Sequence, residues 1–357
     1  MRIKPTILFL HRWVGIITGL IVLLLGITGC LFVFQYEITN WYRSDMVYVD
    51  APASSSNERL PVKDIYEEAA DAFEVDNLPY GLVTYKNPDR TWTALQYSYQ
   101  PGSWTYMGMA DEYKTAYINP YTGDVQGVAN EKKDFFQIVK GLHWSLLLVT
   151  PIGQPIVAWS TVIFIFLLVT GMVLWWPKKW NKSGRQRSFK IKWDSTWRRI
   201  NYDLHNVLGF YFLIIALIIG FTGLYWYFPS AKKAIHFIGT GDFRLPDNNS
   251  EKVVSKYQEN PVESDPLEIA YISAWQQYSK AKRIQFKLPS DSTGTITATV
   301  NFDTDTYYHT HMLQFDQYTG ELLASDLYGE KNAGEKLLAM NYDIHVGAIG
   351  GLPGKII

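Results

Sequence analysis

One pattern is written twice in this chain, once from His11 and again from His205. From His11 it runs H-x3-G-x10-G-x-T-G through Gly15, Gly26, Thr28 and Gly29. From His205 the same spacing passes through Gly209, Gly220, Thr222 and Gly223. In each copy the histidine opens an uncharged stretch long enough to cross a bilayer, which predicts a membrane protein built from two related halves. A histidine at intramembrane depth is costly and marks function by default.

Three runs carry no charged residue: 14–34, 141–177 and 206–229. Each supplies the roughly 20 apolar residues that a helix needs to span about 30 Å of hydrocarbon. The mean hydropathy of -0.08 hides them, because it averages apolar helices with polar loops. Between Lys178 and Arg199 there are nine Lys/Arg residues against one acid, Asp194. By the positive-inside rule that loop is cytoplasmic, as is the N-terminus with Arg2, Lys4 and Arg12. The basic residues sit where a membrane protein places them, so the net charge of -1 gives no reason to expect a nucleic-acid partner.

The expected organisation follows by counting. Transmembrane helix 1 occupies 1–36, an extracytoplasmic domain 37–140, and an outer interfacial segment with helix 2 141–177. A basic cytoplasmic loop covers 178–199, helix 3 200–229, a second extracytoplasmic domain 230–341, and an outer interfacial segment 342–357. By the repeat, a fourth helix should begin just after Leu352, so the sequence to Ile357 reads as stopping before its last span. The alternative of a cleaved, lipidated signal peptide at Cys30 is weaker. The apolar run continues past Cys30, and the second copy keeps G-x-T-G with Leu224 in the cysteine's place. Cys30 is the only cysteine, so the outer domains are expected to hold no disulfide.

The outer loops repeat as well. Tyr121-Thr122-Gly123-Asp124 and Tyr318-Thr319-Gly320-Glu321 each read as a hairpin turn in which glycine supplies the positive φ. Apolar residues recur at helical spacing over Val62 to Phe73 and Pro266 to Tyr278. Each loop is therefore expected to be a small α+β unit. After each hairpin comes another histidine, His143 in Gly141-Leu142-His143-Trp144 and His345 in Asp343-Ile344-His345. Pro151, Gly153 and Pro155 are expected to separate His143 from a continuous helix.

Four of the seven histidines thus occupy equivalent places. Pairs across the membrane would have to span about 30 Å, so only His11 with His205 and His143 with His345 can meet. Two imidazoles presented by helices are what axial coordination of haem iron requires, which predicts one haem b near each face. Gly15, Gly29, Gly209 and Gly223 are expected to give a flat macrocycle room against the helices, and Arg12, Arg198 and Arg199 are candidate propionate partners, although positive-inside anchoring explains them more simply. No catalytic residue beyond the haem ligands is expected. His309 and His311 would share a face if Tyr307 to Phe315 were a strand, making them candidate outer contacts for metal or chelate; an exposed strand without metal is the simpler reading. His236 reads as interfacial. No dinucleotide fingerprint, flavoprotein-like stretch or C-x-x-C-H is present. Electrons would have to come from a separate flavin reductase, free reduced flavin or membrane quinol.

The chain resembles the PepSY-associated transmembrane proteins, whose members include iron-regulated inner-membrane proteins and ferric-siderophore reductases. The resemblance rests on His11-Arg12-Trp13-Val14-Gly15, the Tyr-Thr-Gly hairpins at Tyr121 and Tyr318, Gly141-Leu142-His143, Asp203-Leu204-His205-Asn206 and Asp343-Ile344-His345. It implies a four-helix core with b-type haems, two PepSY-like α+β domains in the periplasm, and a place in the bacterial inner membrane. It also implies reduction of iron delivered as a ferric siderophore or another iron chelate. Two rival readings are a non-enzymatic module that binds or regulates a periplasmic partner, and a permease component for siderophores or metal.

Overall fold

The computed structural model describes residues 3–52, 59–75, 79–177, 179–246, 253–257 and 264–356. Arg2, Lys178 and Ile357, which enter the reading above, lie outside the described residues. Along the chain the helices are α1 (Ile3–Phe32), α2 (Gln35–Tyr42), α3 (Ser44–Val47), α4 (Val62–Phe73), α5 (Phe135–Ser145), α6 (Thr150–Trp175) and α7 (Lys182–Phe189), followed by α8 (Trp197–Tyr211), α9 (Leu213–Leu224), α10 (Pro229–Thr240), α11 (Pro266–Gln277), α12 (Ala333–His345) and α13 (Gly351–Ile356). The strands are β1 (Gly81–Tyr85), β2 (Trp92–Tyr99), β3 (Ala110–Ile118), β4 (Val125–Asn130), β5 (Arg283–Lys287), β6 (Thr295–Asn301), β7 (Thr310–Asp316) and β8 (Leu322–Leu327).

Among the described residues two helices are long and apolar enough to cross a membrane: α1 over the 29 residues Lys4–Phe32 and α6 over 26 residues. At 1.5 Å per residue they run about 44 and 39 Å, more than the hydrocarbon thickness. The third candidate differs from the continuous helix expected over 200–229. It is the pair α8 and α9, bent by 66° at Phe212. The start of α8 is tied to the basic segment before it: Asp203, with no exposed surface, pairs with Arg199 at 2.9 Å and accepts the Lys192 backbone N–H at 3.2 Å. The direction of α8 follows that anchorage, whereas α9 follows its packing on α6, where Gly220 brings it against Ile165. A count of uncharged residues cannot register the conflict.

The break ahead of α6 also falls elsewhere than expected. Leu146 and Leu147 both take left-handed φ, 56° and 61°, and end α5. Pro151 then occupies the first turn of α6, where a missing N–H costs little, and the helix continues through Pro155. Gly153 lies so close to the Ser145 carbonyl that no side chain would fit there.

The two large loops do not form separate sheets. Their eight strands make one antiparallel sheet in the order β4-β3-β2-β1-β5-β6-β7-β8. The seam is β1 against β5, with Leu82 opposite Phe286 and Tyr85 opposite Arg283. Period-two alternation sorts the side chains. Leu82, Ala94, Ala116, Ile284, Phe286 and Ala298 face α4 and α11, whose Val62, Ile65, Tyr66, Leu267 and Ala270 complete the core. Tyr85, Thr93, Thr115, Tyr117 and Arg283 point the other way, into a cavity also lined by Phe32 and Val33 at the end of α1. One sheet face is thus capped by its own helices, and the other overlooks the apolar helices. The turns before β4 and β8 hold Gly123 at φ +80° and Gly320 at φ +73°, as their role requires.

Because the core crosses the seam, the two loops should unfold together. Phe286→Ala, at a fully buried seam position, is expected to cost about 3–5 kcal/mol. Denaturation of the purified protein should keep a single transition for the sheet, shifted to lower denaturant. Two separated transitions would show that the halves are independent.

Candidate functional site

The four histidines singled out by the repeat meet in two pairs. The rings of His11 and His205 have centroids 6.3 Å apart, and those of His143 and His345 lie 6.1 Å apart. His11 sits on α1 and His205 on α8; His143 lies in the last turn of α5 and His345 ends α12. Since His143 packs against Gly29, 18 residues along α1 from His11, the two pairs are separated by about 27 Å along that helix. One pair lies on the side of the basic α7 segment and the other on the side of the sheet.

Each sheet-side histidine is delivered by a helix whose start is held by side chains. Asp134 caps α5, accepting the Phe136 N–H at 2.8 Å, and is itself held by Arg43 at 2.9 Å, which also pairs with Glu131 at 2.6 Å. Arg43 is nearly buried, so this ion pair is well shielded from water. α12 opens with a reciprocal capping box between Asn332 and Glu335. Further along α12, Asn341 donates to the Thr222 carbonyl of α9 at 3.2 Å. Asp343 has no exposed surface and accepts the Tyr307 backbone N–H at 3.0 Å. Burial raises the Asp343 carboxyl above its usual range, against the opposing pull of the Tyr307 and Tyr308 N–H groups. Asp203 and Asp343, each two residues before a paired histidine, both anchor a backbone N–H.

Three of the four imidazoles rest in the same small device. His143 Nδ1 lies 3.1 Å from Thr28 Oγ1 and 3.0 Å from the Leu25 carbonyl; His345 Nδ1 lies 3.0 Å from Thr222 Oγ1 and 3.1 Å from the Ile219 carbonyl. His11 Nδ1 lies 2.9 Å from Thr170 Oγ1. In each case the next residue is glycine, and a Cβ on Gly29, Gly223 or Gly171 would stand 3.2 Å from the imidazole Cε1. Donor and acceptor accounting assigns the tautomer. Each threonine hydroxyl donates its one proton to a carbonyl a turn back, Leu24, Ile218 or Phe166, at 2.7, 2.7 and 3.0 Å. At His143 and His345 the Leu25 and Ile219 carbonyls can only accept, so there Nδ1 carries the hydrogen and Nε2 keeps its lone pair. An imidazole held by an Nδ1–H bond with Nε2 free is the arrangement of a metal-ligating histidine.

The glycines thus divide by role. Gly29 and Gly223 make room for the imidazoles of His143 and His345. A Cβ at Gly15 would meet only Leu167, at an ordinary 3.9 Å, and at Gly209 it would meet nothing within 4 Å. Thr170 and Gly171 were not singled out in the sequence. The signal was present, since Thr-Gly occurs there inside an apolar run as it does at Thr28 and Thr222, but outside the H-x3-G spacing. Among the described residues no Thr-Gly pair packs on His205.

The remaining candidates lie apart. β7 begins at Thr310, so His309 precedes the strand and only His311 belongs to it. Their ring centroids are 6.1 Å apart, but Phe302 packs on both, at 5.0 and 4.9 Å, and His311 Nδ1 accepts the Tyr328 N–H at 3.2 Å. Among the described residues no three His, Cys, Asp or Glu side chains converge as metal ligands. His236 is buried between α10 and α12 against Gly334 instead of facing an interface. Arg199 is taken up by Asp203, and Arg12 lies over the Trp13 ring at 5.9 Å.

Residues 8–357 match the sequence family described as PepSY-associated TM region. The chain belongs to this family. It is accordingly a membrane protein, and its PepSY association fits an antiparallel sheet carried outside the apolar helices. Comparison with curated proteins finds no match.

The hydrogen-bond pattern in this PepSY-associated protein ranks its threonines. Among the described residues Thr170 is the one hydrogen-bond partner of His11 Nδ1, so Thr170→Val should leave a half-buried ring nitrogen unpaired and cost about 1–3 kcal/mol. Thr28→Val leaves His143 bonded to the Leu25 carbonyl and should cost less, while Thr170→Ser should restore most of the loss. Chemical denaturation in one detergent checks the order; equal losses for both valine variants would refute this ranking.

Proposed function

We propose that the two imidazole pairs are the axial ligands of two haems b, and that the protein carries electrons through the membrane to an acceptor on the sheet side. The observation that carries this reading is the matched geometry of the pairs. Two imidazoles on opposite sides of one iron, each nitrogen about 2 Å from the metal, have ring centroids about 6 Å apart, and both pairs have that spacing. The donor chemistry also fits, because Nε2 is left free to ligate wherever a Thr-Gly pair holds Nδ1. The cofactor supplies one-electron redox chemistry without an open coordination position when both axial ligands are histidine.

The chain's own residues supply placement and insulation. His11 with His205 and His143 with His345 stand about 27 Å apart, close to the apolar thickness of a bilayer, so both ends of the crossing are equipped. Thr28, Thr170 and Thr222 set ring rotation, while Gly29, Gly171 and Gly223 let the rings approach. Trp226, 5.2 Å from His345, and Trp144 beside it at 6.4 Å screen the outer pair from water.

The acceptor we propose is iron(III) in a siderophore or other oxygen-donor chelate, released on reduction because iron(II) binds hard oxygen ligands less tightly. The donor would be a separate flavin reductase, reduced flavin or quinol. The basic segment before Arg199 supports an orientation with that side cytoplasmic and the sheet in the periplasm of a bacterial inner membrane.

The purified full-length protein should show a reduced low-spin b-type spectrum, with two haems per chain on pyridine extraction. His11→Ala and His345→Ala should each remove one haem and leave the other. Colourless protein would overturn the proposal and leave a membrane-anchored binding module.

A further inference from the structure

A cavity of about 260 Å³ lies under the β1–β5 seam, between the sheet, the chain leaving α1 and the end of α12 that carries His345. Tyr342 and Val346, which flank His345 on α12, form part of its wall. Its charged lining is Arg90, Arg283 and Lys355 against Asp305. Lys355 is already paired with Glu37 at 2.5 Å. Arg90 is not paired: its Nη atoms donate to Tyr36 Oη at 3.2 Å and Asn40 Oδ1 at 3.1 Å, its plane stacks over the Tyr85 ring at 4.4 Å, and no carboxylate among the described residues reaches it. Arg283 lies over Tyr307 at 4.8 Å, also without an ion pair among the described residues.

The unsatisfied groups gather at the same place. Among the buried side-chain polar atoms without a hydrogen-bond partner in the described residues are Arg90 Nε and Glu37 Oε2, whereas the Thr39 hydroxyl bonds to Tyr42. Arg90 and Thr39 line the cavity, and Glu37 holds Lys355 at its wall. Folded proteins pair nearly all buried polar atoms, so such a cluster calls for an absent partner. A buried guanidinium without a counter-charge calls for an anion, and a planar oxyanion suits its fork of donors. The Arg90 donors beside the Thr39 and Tyr36 hydroxyls in the lining match a ligand bearing carboxylate and hydroxyl groups. Small-molecule pockets run from about 300 to 1,000 Å³, so this one takes a compact group and excludes a whole macrocyclic chelator.

We propose that this cavity is a carboxylate-binding site at the threshold of the outer imidazole pair, with Arg90 and Arg283 as its anion-holding residues. The carboxylate has two possible sources: a soluble hydroxycarboxylate, alone or as an iron chelate, or the propionate edge of a porphyrin ligated by His143 and His345. Delivery of a chelate to the electron-transfer site rests on the function proposed above; the binding itself does not.

The test uses the full chain in lipid nanodiscs, with citrate and ferric citrate as probes in isothermal titration. Wild type is compared with Arg90→Gln and Arg283→Gln, and haem content is measured in parallel. For a soluble ligand, citrate binds the wild type, each variant weakens it at least tenfold, and haem content is unchanged. For the propionate source, citrate does not bind and Arg90→Gln lowers haem content by one per chain; this outcome also supports the carboxylate site. Citrate affinity and haem content unchanged in both variants overturn the inference. Arg283 makes no hydrogen bond or ion pair among those found for the described residues, so Arg283→Gln serves if Arg90→Gln does not fold. Arginine-dependent citrate binding in a haem-free preparation would sink the electron-transfer proposal and leave this one standing.

Discussion

The contact on which the rest of the structure depends is an imidazole set against a Thr-Gly step on a neighbouring helix. Threonine returns its own proton to the helix backbone and accepts from Nδ1, while glycine removes the Cβ that would otherwise press on the ring edge. Within an apolar bundle, plain hydrophobic burial does little to choose among helix rotations, because lipid and side chain are equally apolar. A directional bond to a buried polar ring does choose. Three such contacts join α5 to α1, α12 to α9 and α1 to α6, and they set the rotation of each helix about its axis.

That constraint reaches into the sheet. α5 and α12 each follow the last strand of one loop and carry a paired histidine in their last turn. When the histidines meet at 6.1 Å, the two loops are brought side by side, and β1 finds β5 as its neighbour. The seam closes the inner edge of both four-stranded halves, which would otherwise leave two strand edges open to unwanted pairing. It also creates the arginine-lined cavity, since Arg90 comes from the first loop and Arg283 from the second. Neither half contains that pocket alone.

Several elements were legible in advance for definite reasons. The helices over Val62 to Phe73 and Pro266 onward, and the glycine turns at Gly123 and Gly320, are local: spacing and positive φ suffice to read them. The pairing of histidines was legible because distance across a bilayer left few alternatives. The bend at Phe212 was not, because the conflict between the Asp203 anchorage and the packing of α9 on α6 involves residues far apart in sequence. Thr170 escaped notice for the same reason: its partner His11 is 159 positions away, and the repeat that exposed Thr28 and Thr222 does not include it. His309 looked equivalent to His311 only on the assumption of a strand that begins one residue too late to contain it.

The sequence by itself determined where the apolar runs fall and which histidines occupy equivalent places, because those properties depend on composition and spacing along one chain. Tertiary structure alone decided that the loops share one sheet, that Gly29 and Gly223 serve the imidazoles, and that unpaired arginines converge under the seam. Those outcomes depend on which surfaces meet, and each surface is assembled from segments that only folding brings within a few ångströms of one another.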